Sequence, residues 1–129
     1  MIAVDTNVIV RLLTQDDEQQ YNKSLKLFQE QAIFIADTVI LETEWVLRFA
    51  YQFKPDENCR AFSKLFGLPN VQLENANLMA QVLQWHEQGL DFADALHLAK
   101  SQQCSAFYTF DNKFVKKAQG LTECEVQQP

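Results

Sequence analysis

At 129 residues, with 47% hydrophobic residues and only three Gly and three Pro, the chain has room for one core-bearing domain. That composition excludes a disordered or low-complexity protein. The formal charge of −6, from 17 acidic against 11 basic residues, argues against tight non-specific binding to nucleic acid. It does not exclude a metal nuclease, because bound divalent cations reverse the field inside a site.

No apolar run approaches a membrane span, and the start lacks a basic leader, so a soluble, cytoplasmic protein without a membrane partner is expected. Cys59, Cys104 and Cys124 are odd in number and lack metal-ligand spacing, which predicts reduced thiols.

In chain order, Ile2 to Asp5 reads as a buried first strand. A short helix carrying Val8 to Leu13 follows, with Thr6 or Asn7 as its cap. Asp16-Asp17-Glu18 opens the next segment, and Tyr21, Leu25 and Phe28 recur at helical spacing between Gln19 and Gln31. Ala32 to Ala36 is a second buried strand. Asp37-Thr38 is then a capping pair for a long apolar helix reaching Phe53.

Pro55 starts a helix that stops at Gly67, Leu68-Pro69-Asn70 turns, and Val71 to Leu73 alternates like a strand. A helix from Asn75 to Gln88 closes at Gly89. Asp91 caps another helix, predicted to run through Gln102. Ala106 to Phe110 is an aromatic strand ending at Asp111, and Cys124 to Val126 is an edge strand. Strands separated by helices predict one α/β domain over residues 1–129, with a central, mostly parallel sheet flanked by helices.

Against this frame four acids stand out: Asp5, Glu42, Asp94 and Asp111. All lie beside apolar residues, without a matching set of Lys or Arg, and carboxylates so placed need a partner. Asp5 and Asp111 end strands, while Glu42 and Asp94 sit near helix starts, so all four fall on the strand-end face where α/β sheets bind ligands. An all-oxygen cluster suits Mg²⁺ or Mn²⁺. Each acid also has a structural alternative. Asp5 fits as a cap, Asp91 and Asp94 are spaced as an N-cap and N3 acid, and Asp111-Asn112 fits a turn. Glu44 equals Glu42 by charge alone, and His86 and His97 are read as packed or surface residues rather than ligands.

The stretches MIAVDTNVIVRLL, ADTVILETEWVLR, DFADALHLA and YTFDNKF, in that order, resemble the PIN-domain family and within it the VapC-type toxins. The resemblance spans nearly the whole chain. It implies a metal-dependent endoribonuclease with a compact α/β fold, in which Asp5, Glu42, Asp94 and Asp111 are the catalytic acids. Asp5, Asp94 and Asp111 would be metal ligands, Asn7 and Thr109 supporting residues, and Mg²⁺ or Mn²⁺ the cofactor. The fourth acid, Asp111, is the least uniformly required in that family. Glu44, Asp91 and Asp37 then fall to structural or peripheral roles.

The implied reaction is hydrolysis of cellular RNA to a 5′-phosphate and a 3′-hydroxyl, with Arg11, Arg48 and Lys113 as candidate phosphate contacts. The implied partners are a second copy of the chain and a VapB-like antitoxin, for which the apolar helix from Thr38 would supply a surface. A receiver domain needs paired acids after its first strand, and a haloacid-dehalogenase-like phosphatase needs D-x-D, where this chain has Asn7. The alternative that stays open is a PIN-like scaffold that binds RNA or protein without cutting it.

Overall fold

The short apolar runs become parallel strands because helices carry the chain back between them. The computed structural model describes residues 1–129, which form two compact units, residues 1–76 and 77–129. The first unit contains β1 (Ile2–Ala3), α1 (Thr6–Thr14), α2 (Glu18–Glu30), β2 (Ile33–Ile35), α3 (Asp37–Tyr51), α4 (Pro55–Phe66) and β3 (Val71–Leu73). Its sheet has the order β1-β2-β3, with Ile2 beside Ile33 and Ile35 beside Leu73. Ile33 and Ile35 on the central strand are fully buried. Each contributes about 1.5–3 kcal/mol, more than the ~1 kcal/mol of a ladder hydrogen bond, so burial sets the register.

The second unit contains α5 (Ala76–Glu87) from its second residue onward, α6 (Phe92–Ala99), β4 (Ala106–Tyr108), α7 (Asn112–Ala118) and β5 (Glu125–Gln127). Here β4 pairs in parallel with β5, Ala106 beside Glu125. Met79, Val82, Phe92 and Leu98 are buried with Phe114 and Val126. Gly89 turns the chain after α5 with φ +111°, a conformation that favours glycine. Lys117 Nζ fastens that turn by donating to the Gly89 carbonyl at 2.8 Å.

The α/β class and the parallel pairing agree with the sequence; the strands pair as β1-β2-β3 in the first unit and as β4-β5 in the second. The run at Ile2 is less enclosed than expected: Ile2 is half-buried and Ala3 exposed, and only Val4, past the strand, is buried. Asp5, not Thr6 or Asn7, caps α1. The helix capped by Asp91 ends at Ala99, short of Gln102. The tail holds α7, which the sequence reading passed over. Cys59, Cys104 and Cys124 are free thiols. No helix is long and apolar enough to cross a membrane.

The start of α3 corrects the expected Asp37-Thr38 cap. Ala36 occupies the N-cap without a side-chain bond, and Asp37 is a buried residue of the first turn. Glu74, just past β3, supplies the missing acceptor: its Oε2 takes the Asp37 N–H at 2.6 Å. Glu74→Ala is therefore expected to cost about 1 kcal/mol in urea unfolding, the usual worth of a cap, although Glu74 lies outside α3. An unchanged midpoint would show that water replaces it.

Candidate active site

In the first unit, Asp5 follows β1 and its Oδ1 accepts the Thr6 N–H at 2.8 Å. That bond caps α1 with one carboxylate oxygen, and Oδ2 accepts none. Thr6 is buried, and its hydroxyl donates to Glu42 Oε1 on α3. Thr6 thus ties the second acid to the backbone that follows the first.

Helical geometry separates Glu42 from Glu44. Two residues turn the helix by roughly 200°, so the two side chains leave opposite faces. Glu42 is exposed, whereas Glu44 is 1% exposed and accepts from Asn58 Nδ2 at 3.1 Å. Arg48 Nε stands 3.2 Å from Glu44 Oε2 and its Nη2 donates to Oε1 at 3.3 Å.

Asn7 is exposed on α1. With Arg11, Gln20, Lys23 and Ser24 it lines a groove of about 320 Å³ between α1 and α2. The Arg11 guanidinium is anchored there, donating to Gln20 at 2.7 Å, Asp16 at 2.9 Å and the Tyr51 hydroxyl at 3.0 Å. The Tyr51 hydroxyl in turn holds the Asp16 carboxyl below its usual pKa by donating to it at 2.5 Å, with Thr14 and Arg11 adding to the effect.

In the second unit, Asp91 caps α6 by accepting the Asp94 N–H at 3.1 Å. Asp94 itself is half-buried in the first turn, and its carboxylate accepts no hydrogen bond from the chain. Burial raises its pKa first, and the negative charges of Asp91 and Asp111 raise it further; His97 alone pulls the other way. The third and fourth acids therefore feel each other within this unit. Asp111 caps α7 through Oδ1, which accepts from Lys113 N–H at 3.0 Å and Phe114 N–H at 3.2 Å, leaving Oδ2 without a donor. Thr109 positions it: the Asp111 N–H donates to Thr109 Oγ1 at 3.1 Å, and Thr109 N–H to the Gln127 carbonyl at 3.1 Å. Lys113 is exposed on the first turn of α7.

His86 is packed, its Nδ1 2.8 Å from the Leu90 carbonyl and its ring edge-on to Phe92. His97 is exposed near the end of α6.

A half-buried carboxylate with two acidic neighbours and no donor calls for a proton or a cation. The donors are all oxygens, which fits a hard divalent ion. In neither unit do three or more Asp, Glu, His or Cys side chains form a ready-made cage. An ion held there would complete its shell with water or phosphate oxygens, as Mg²⁺ commonly does.

Comparison with known proteins decides the family. A model of the PIN domain matches residues 2–120. The chain belongs to the PIN-domain family. No curated protein sequence matches it. Among solved structures it is similar to Mycobacterium tuberculosis VapC20, described as a sarcin–ricin-loop-cleaving toxin. The identity is 22%, the alignment covers 97% of this chain and 99% of that one, and the TM-score is 0.44.

The PIN-domain match includes all four acids and reaches into the second unit as far as residue 120. Sequence reasoning missed Thr6, although it stands inside DTN, because nothing local tells that its hydroxyl reaches α3. It also missed α7. The signals were there in Asp111 as a cap, Phe114 at N3, Lys116-Lys117 in the last turn and Gly120 beyond.

Proposed function

We propose that this PIN-domain chain is a metal-dependent endoribonuclease of the VapC toxin type, with Asp5, Glu42, Asp94 and Asp111 as its acids and residues 1–129 acting as one nuclease domain. The observation that carries the reading is Asp94: a half-buried carboxylate among acids, with no donor of its own. That is an unfavourable arrangement in a protein that only packs, and a useful one where a cation and a phosphate are to be held. The motif resemblance and the family match support the same chemistry.

Asp5 and Asp94, with Asp111, would be the ligands of Mg²⁺ or Mn²⁺: capping leaves one carboxylate oxygen open on Asp5 and on Asp111, and the Asp94 carboxylate accepts no hydrogen bond from the chain. When bound, a divalent cation offsets the charge of the phosphodiester and lowers the pKa of water. Glu42, steadied by the Thr6 hydroxyl, would orient the attacking water. Asn7 and Thr109 would support the acids. Arg11 is pre-oriented by its three partners to meet an RNA phosphate, and Lys113 is exposed beside Asp111. Arg48 is turned to Glu44, so its contact with RNA rests on its remaining exposure.

Trp45 and Phe49 are each 56% exposed on α3, their rings 5.0 Å apart. This apolar surface supports the proposal of a homodimer and of a VapB-like antitoxin that neutralises growth arrest in the cytoplasm.

The test is incubation of purified protein with total RNA and Mg²⁺, with the new ends mapped. Discrete cuts bearing 5′-phosphates and 3′-hydroxyls, lost in EDTA, are expected. Cleavage unchanged in EDTA rejects the metal mechanism. RNA binding without cleavage favours the scaffold.

A further inference from the structure

Phe110 is 82% exposed, the most exposed large apolar side chain in the protein, and Tyr108 two residues before it is 61% exposed. Neither ring packs on another aromatic, while their neighbour Phe107 does, against Phe114 with centroids 5.5 Å apart. Burying a phenylalanine is worth about 1.5–3 kcal/mol, so presenting one to water forgoes a sizeable stabilisation.

The backbone on both sides of Phe110 is anchored. Thr109 N–H is bound to the Gln127 carbonyl, and Asp111 is held by Thr109 Oγ1 and by its bonds into α7. The ring therefore projects from an anchored stretch of backbone, immediately before the acid Asp111.

Resting on the ribonuclease reading, we propose that Phe110 is a stacking platform for an unpaired base of a single-stranded RNA segment. It would place the adjoining phosphate beside Asp111. Sequence-specific RNA recognition works mainly on unpaired bases stacked on aromatic rings. A net charge of −6 makes this source of affinity more important, since phosphate attraction over the whole surface is weak. A base stack contributes affinity without a counter-charge.

The experiment uses the full chain carrying Asp94→Asn to prevent cleavage, with a labelled unstructured RNA oligonucleotide and its duplex as probes. Adding Phe110→Ala is expected to weaken binding of the single strand by about 5- to 150-fold, the worth of one base stack. Phe110→Trp restores it. The slope of affinity against salt stays the same, because no phosphate contact is lost. Duplex binding changes little.

Unchanged single-strand affinity with Phe110→Ala, while wild type still cleaves RNA, overturns the stacking role alone. If wild type cleaves no RNA, the ribonuclease reading fails and takes this one with it. If Phe110→Ala instead converts a dimer to a monomer in sedimentation, a second copy covers the ring and the stacking role is overturned.

Discussion

Asp94→Asn is expected to lower RNA cleavage by about 10²-fold or more, the scale of losing a metal-site group, while leaving the protein folded. In EDTA the same variant is expected to melt at a higher temperature than wild type. Burial and the charges of Asp91 and Asp111 raise the folded-state pKa of Asp94. The folded protein thus prefers this group neutral, and in metal-free solution stability falls as pH rises through that pKa. A neutral amide removes the penalty above it.

Adding Mg²⁺ separates this effect from simple repacking. An ion that binds only the folded state stabilises by about 2.7 kcal/mol at a hundredfold excess over its Kd. Wild type should therefore gain on titration with Mg²⁺, and Asp94→Asn should gain clearly less. Equal cleavage by the two proteins, or equal Mg²⁺ shifts, would remove Asp94 from the site.

The second large effect concerns stability. Arg48→Ala is expected to cost roughly 2–4 kcal/mol, read as a lower urea midpoint. Breaking a buried ion pair by removing one partner costs about 3–5 kcal/mol, and the partial exposure of Arg48 trims that figure. Glu44 is almost fully enclosed and would keep Asn58 while losing the cation that faces both of its oxygens. Glu44→Gln combined with Arg48→Ala should recover much of the loss, because the stranded charge is then gone.

Kinetics on the folded fraction tells the two roles of Arg48 apart. An unchanged KM for RNA assigns it to the fold, and a raised KM with a shallower salt dependence adds a phosphate contact.

Much of the protein was legible in the sequence because its signals are local. The apolar runs at Ala32 to Ala36 and Ala106 to Phe110 and the alternating VQL are bounded by turn residues and contain strands for that reason, though the first and last are shorter than expected, Ile33–Ile35 and Ala106–Tyr108. Pro55 and Gly67 bracket α4, and Asp91 starts α6, since caps act within one turn. Four acids in order within their motifs are likewise readable along the chain, as the match over residues 2–120 bears out for the family.

What only the tertiary structure decided lies between residues far apart. Glu42 and Glu44 are equal by charge; the structure exposes the first and buries the second against Asn58 and Arg48. The hydroxyl that holds Glu42 comes from 36 residues away, and the acceptor that caps α3 from 37. The pairing of the strands, β1-β2-β3 and β4-β5, is also a matter of distant residues. Periodicity and capping report neighbours within a turn. Contacts across such separations are chosen by packing, and packing is set only when the whole chain has folded.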